Sequence, residues 1–245
     1  MSNRSSEARE ETLGRLRSAL QKQQALFRDS IGRDLSDPPM TVFPPPQDRS
    51  LVESFAARLT ALSGSCDVVR QGEDVGERVV HRIRQWVPAG VAESIEVLSW
   101  EAGELHVAGL EQTLAEADIT LFAPEDLQEQ SVRNHAAALA VGITGVAAAF
   151  ANTGSIVLTP GPGRSRAAGL LPLNHLVLVP LSRLHPTFEA WLLALRQQGG
   201  LEALVRDSGQ IAFITGPSKS ADIELNLTLG VHGPKVVHAI VFDDT

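Results

Sequence analysis

The sequence predicts an α/β domain with a mainly parallel sheet, on three observations. Runs of four to eight residues rich in Val, Ile, Leu and Ala recur between residues 66 and 243. Segments with helical spacing separate several of them, the alternation of a sheet covered by helices. The third is size: 245 residues with 43% hydrophobic side chains can bury a sizeable core without disulfides, which the single cysteine, Cys66, excludes within one chain.

Leu13, Leu16, Leu20 and Phe27 stand at helical spacing among Arg, Glu and Gln, so an amphipathic helix is expected to end before Gly32. Pro38, Pro39, Pro44, Pro45 and Pro46 follow. With φ fixed and no amide donors, they make a linker or a surface strap. Residues 1–49 are therefore read as an N-terminal helix and proline-rich strap, and residues 50–245 as the main domain. There helices are expected over about 50–63, 74–87 and 186–198. Strands are expected over 66–70, 95–99, 119–123, 141–144, 155–159, 175–180, 211–215 and 236–243.

The net charge is −8, from 21 basic and 29 acidic residues. Residues 71–130 hold 13 acidic against 3 basic side chains, whereas residues 131–245 hold 7 against 8. An anionic ligand is thus repelled least by the C-terminal half, and the overall acidity argues against nucleic acid as a partner. No apolar stretch approaches the ~20 residues of a membrane span, and no secretory signal is visible, so a cytoplasmic protein is expected.

Several chemistries fail on their motifs. One cysteine cannot supply a four-cysteine zinc site or an all-cysteine iron–sulfur cluster. Arg166 stands where a dinucleotide loop beginning at Gly161-Pro162-Gly163 needs glycine. Neither Gly-x-Ser-x-Gly nor His-Glu-x-x-His occurs, and no metal site is expected. Cys66 lies in an apolar run and reads as an inert thiol.

Three glycine-containing loops of the C-terminal half remain, and ligands of open α/β sheets sit at the carboxyl ends of strands. Thr153-Gly154-Ser155 offers two hydroxyls and a glycine amide, or else is simply a tight turn. Thr215-Gly216-Pro217-Ser218-Lys219-Ser220-Ala221-Asp222 follows a strand and leads into Ile223-Glu224-Leu225, which reads as helical. That junction is either an anion seat with Lys219 as its cation or plain capping by Ser218 or Ser220. Gly230-Val231-His232-Gly233-Pro234 places a histidine between glycines, free to face a ligand or to bond backbone. His175 opens a strand and is expected at the sheet edge. On a helix Asp222 and Glu224 cannot share a face, so Asp222, nearer the loop, is taken as the functional carboxylate and Glu224 as its support. His81, His106, His135, His185 and His238 read as structural.

In order, Gly142-Ile143-Thr144, Thr153-Gly154-Ser155, Leu171-Pro172 with His175, Thr215–Glu224 and Leu229-Gly230-Val231-His232-Gly233-Pro234 resemble the LUD-domain family, in its lactate-utilisation protein C branch. The resemblance covers about residues 50–245. It implies a Rossmann-like three-layer fold akin to sugar-phosphate isomerases, coenzyme A transferases and 5-formyltetrahydrofolate cyclo-ligases. It further implies a part in oxidising L-lactate to pyruvate beside cysteine-rich iron–sulfur partner proteins, with no cofactor in this chain. Asn152 departs from the acidic residue common before Thr-Gly, and Lys219 and Ser220 depart from the usual arginine and threonine. Lysine keeps the charge but gives up the bidentate fork. The expected role is an accessory or substrate-binding subunit, with His232 and Asp222 as the reactive groups. The alternative is an independent isomerase or transferase acting on a small anionic substrate such as a sugar phosphate or acyl-CoA.

Overall fold

The computed structural model describes residues 10–15, 17–18, 49–71, 73–87, 94–221 and 227–244. The chain divides into two units, Met1–Thr41 and Val42–Thr245. In the first, residues 10–15 and 17–18 are helical; the remainder of the expected helix and the whole proline strap lie outside the described residues.

The second unit is an α/β domain. Helix α1 (Leu51–Ala61) starts at a reciprocal cap: the Glu53 amide donates to Ser50 Oγ (3.2 Å), and the Ser50 amide donates to Glu53 Oε2 (2.9 Å). It feeds β1 (Ser65–Val69), then α2 (Val75–Trp86), capped by Asp74, whose carboxylate accepts from the Glu77 amide. Strand β2 (Ile95–Ser99), helix α3 (Leu110–Glu116), β3 (Ile119–Phe122), helix α4 (Gln130–Ala138) and β4 (Val141–Thr144) follow. The chain then makes β5 (Ala148–Phe150), β6 (Ser155–Leu158), β7 (Asn174–Pro180) and β8 (Leu184–His185). Helices α5 (Phe188–Gln197) and α6 (Leu201–Asp207) lead to β9 (Ala212–Ile214), β10 (Lys219–Ala221), β11 (Leu227–Leu229) and β12 (Val236–Phe242).

Six strands form one wholly parallel sheet in the order β1-β12-β7-β4-β2-β3. Its middle strands are buried on both faces, which is why 175–180 and 236–242 read as continuous apolar runs. Phe55 and Leu59 of α1, Val79 and Ile83 of α2 and Leu110 and Leu114 of α3 close the main core.

The other expected strands behave differently. Residues 155–158 and 212–214 belong to a second sheet, β8-β5-β6-β9, in which β5 with β6 and β6 with β9 are antiparallel. Its small core holds Ala148, Phe150, Val157 and Trp191. Helices α3, α4 and α6 and strand β5 escape the sequence reading because each is nine residues or shorter and gives periodicity too little length.

Between the sheets, the 3-10 turn Arg166–Gly169 lies against β4. A Cβ on Gly142 would stand 1.9 Å from the backbone carbonyl oxygen of Ala168, so only glycine admits this approach. Gly142→Ala is expected to destabilise the domain by about 2–4 kcal/mol, read as a lower urea midpoint with an unchanged denaturant slope.

Candidate functional site

The three loops meet at one corner, and the corner is built from backbone. The β5–β6 turn closes as the Gly154 amide donates to the Phe150 carbonyl (2.9 Å). Gly154 has φ +71°, and a Cβ there would stand 2.5 Å from the Leu59 amide nitrogen, so the turn presses on the last turn of α1. Thr153 Oγ1 accepts from the Ser155 amide (3.3 Å), and Ser155 Oγ bonds Thr215 Oγ1 (2.8 Å), joining the first loop to the second.

In the second loop, Gly216 and Pro217 are buried, and a Cβ on Gly216 would lie 3.0 Å from the Leu62 carbonyl oxygen. Lys219 is exposed, with Nζ donating to Ser63 Oγ (3.3 Å). The Ser218 amide donates to the Pro234 carbonyl, and the Gly230 amide donates to the Ser218 carbonyl, both at 2.9 Å. Gly233 stands close to Ser218, since a Cβ on it would lie 3.3 Å from Ser218 Cβ. Exposed His232 therefore projects from a turn held at both ends by Ser218.

Three expectations change. First, the corner is at the amino edge of the parallel sheet: α1 precedes β1 there, and the Gly230 loop feeds the start of β12. Strand order cannot be read from the loops themselves, so the carboxyl-end rule was applied at the wrong edge. Second, Lys219–Ala221 form strand β10, antiparallel to β11 with Lys219 opposite Leu229. The expected helix at Ile223-Glu224-Leu225, and with it the capping and anion-seat readings, lies outside the described residues. Asp222 and Glu224 lie outside the described residues.

Third, His175 is the second residue of β7, at the amino edge, but it is closed off from any ligand. It is fully buried in the central strand β7, beside β12 and β4. Its Nε2 bonds Thr144 Oγ1 (2.8 Å), its Nδ1 is without a hydrogen bond, and burial pushes the ring down to about 3.

A second buried histidine has the connectivity of a catalytic relay but not its chemistry. His238 Nδ1 bonds Ser65 Oγ (2.7 Å), and its Nε2 is 3.3 Å from Asp67 Oδ2. Arg82 also takes Asp67 (2.8 Å); burial opposes ionisation of that carboxyl, but the Arg82 bond and the nearby positive charges win and hold it low. Burial, then Arg82, push His238 down to about 4, too weak a base to activate a serine near neutrality. Cys66 is likewise unreactive, its thiol pushed up to about 12 by burial and then Asp67.

The carboxyl edge holds the group that sequence reasoning passed over. His106, in the left-handed region at φ +58°, lines a cleft of about 360 Å³ with Glu73, Asp74, Asp243 and Asp244. Its signal was available in the Asp243-Asp244 pair after the last strand and in the acidic excess of residues 71–130. Among the described residues, no group of three His, Cys, Asp or Glu is placed to hold a metal ion, and no helix is long and apolar enough to cross a membrane.

Comparison with known proteins now adds a class. The LUD domain family model matches residues 52–242, and the chain belongs to that family. Among similar chains, the lactate utilization protein C of Exiguobacterium is 43% identical over 123 residues, 49% of this chain and 50% of that one. That of Shouchella clausii is 34% identical, over 60% of this chain and 62% of its own length. That of Halalkalibacterium halodurans is 29% identical over 81% and 85%. The chain thus spans half to five-sixths of these relatives. A crystal structure of a DUF162 family protein from Deinococcus radiodurans shares the fold, with TM-score 0.54 and 18% identity over 78% of this chain and 96% of the other.

The two neutral buried histidines set an acid limit on stability. The unfolded rings take protons near pH 6.5, while the folded ones resist to about 4 and about 3. Their stability is intact above pH 6.5 and is lost as pH falls toward 4. Between pH 7 and pH 5, each is expected to remove about 2 kcal/mol of unfolding free energy. Urea unfolding at the two pH values measures this, and His238→Gln is expected to make the loss smaller by that amount.

Proposed function

We propose that the chain serves the oxidation of L-lactate to pyruvate as an accessory or substrate-binding subunit beside cysteine-rich iron–sulfur proteins. The observation that supports this best is the similarity to three chains named lactate utilization protein C, which reaches across 81% of this one. Oxidising lactate releases two electrons and two protons. With Cys66 as its single cysteine, this chain cannot build a four-thiolate cluster, so in this reading the electrons pass to clusters of partner proteins.

The corner has two exposed groups suited to a 2-hydroxy acid: Lys219 for its carboxylate and His232 as a base near its hydroxyl. An exposed ammonium holds a carboxylate by only about 0–1 kcal/mol. The corner therefore acts on lactate once a partner covers it and excludes water.

In cells lacking the native chain, Lys219→Ala and His232→Ala are expected to fail to restore growth on L-lactate. The purified variants are expected to keep their melting temperature within about 2 °C, as surface substitutions do. Purification of the tagged chain from its native cell is expected to bring down iron–sulfur proteins, and the isolated chain to show no lactate-dependent dye reduction. Full growth of both variants, or dye reduction by the chain alone, would contradict the proposal and favour an independent enzyme.

A further inference from the structure

Ala147 and Arg183, which follow the carboxyl ends of β4 and β7, border a cleft of about 260 Å³ between the second sheet and helices α5 and α6. One wall is apolar. Trp191, Leu195 and Leu204 contribute to the small core under that sheet and also line the cleft.

Two arginines line the same cleft, and they differ. Arg164 is fixed, with Nη1 donating to Glu104 Oε2 (2.9 Å) and Nε to the Thr159 carbonyl (2.9 Å). Arg183 has no carboxylate partner among the described residues. Its charge reaches two rings nearby: burial first, then Arg183, hold His106 and His185 below the ordinary imidazole value. Asp207 also borders the cleft, but its carboxylate pairs with Arg206 (3.1 Å), with 64% of its side chain in solvent.

A half-buried arginine with no carboxylate partner among the described residues, lining one cleft with an apolar wall, is matched by a carboxylate carrying a short carbon skeleton. A bare inorganic anion would leave the wall unused. A nucleotide needs more room, since drug-sized ligands occupy roughly 300–1,000 Å³. The place also suits the fold, because ligands of parallel sheets gather at the carboxyl ends of strands.

We propose that this cleft binds a small organic acid, its carboxylate on Arg183 with Arg164 as a fixed second cation and its carbon skeleton against Trp191 and Leu204. The site needs no partner protein and stands apart from the amino-edge corner, so it does not rest on the role proposed above.

Calorimetric titration of the isolated full chain with L-lactate, pyruvate and propionate tests it, with neutral lactamide as the control. At least one acid is expected to bind saturably at one site, and lactamide at least tenfold more weakly, as loss of a charge-assisted bond implies. Arg183→Gln is expected to weaken the acid about tenfold or more, and Arg183→Lys less, because charge survives without the fork. Ala203→Leu, which fills the cleft from α6, is expected to abolish binding without lowering the melting temperature. Absence of saturable binding by all three acids, equal binding of lactamide, or unchanged affinity in Arg183→Gln or Ala203→Leu would overturn the proposal. Each of these results leaves the growth test of Lys219 and His232 standing on its own.

Discussion

Three hydrogen bonds at the amino edge set the start of the central strands. The Lys235 and Val236 amides both donate to the Leu173 carbonyl, and the Asn174 amide donates to the Ala140 carbonyl. They align Val236 with Asn174 and Asn174 with Val141, and so fix the β12–β7–β4 register. A slip of one residue would turn every buried side chain of a strand to the opposite face. His175 would lose Thr144, and Gly142 would leave the one place where the Ala168 carbonyl can approach.

That clamp gives the two edges of the sheet different chemistry. At the amino edge, Ser218 spends both its amide and its carbonyl on the Gly230 loop, and Gly154 and Gly216 lie against α1. Glycine amides that might have cradled an anion are instead committed to packing or to internal bonds. What remains to act there is exposed: Lys219 and His232. Clefts lie at the carboxyl edge. Among them, one is acidic, around His106, Asp243 and Asp244, and another carries Arg164 and Arg183. An organic anion is repelled by the first and attracted by the second.

Much of this was legible in the sequence. The strands 95–99 and 141–144 were read at their full extent, and 175–180 and 236–243 to within a residue, because short runs rich in Val, Ile and Leu mark each of them. The three loops were singled out for their glycines and hydroxyls, and the structure joins them at one corner. Which edge they occupy was not legible, for that depends on the strand order. Nor was the strand at 219–221, whose Lys-Ser-Ala has no strand signature and pairs only because Leu227–Leu229 lies opposite. His175 misled because a histidine after Pro-Leu-Asn looks like a loop residue, and only the pairing of β7 on both sides buries it. Arg183 went unremarked because a lone arginine in Leu-Ser-Arg-Leu carries no motif; its meaning comes from Arg164 and Trp191, brought there by the fold.

The central claim is a division of labour: a closed amino edge that works against other proteins, and an open carboxyl edge that takes a small acid unaided. Hydrogen–deuterium exchange of the full chain, alone, with L-lactate and then with its co-purifying proteins, tests this most directly. Lactate alone is expected to slow exchange in residues 181–185 and 201–208 and to leave 216–221 and 228–235 unchanged. The added proteins are expected to slow exchange in those amino-edge loops. Protection of the amino-edge loops by lactate alone, with none at 181–185 or 201–208, would contradict it.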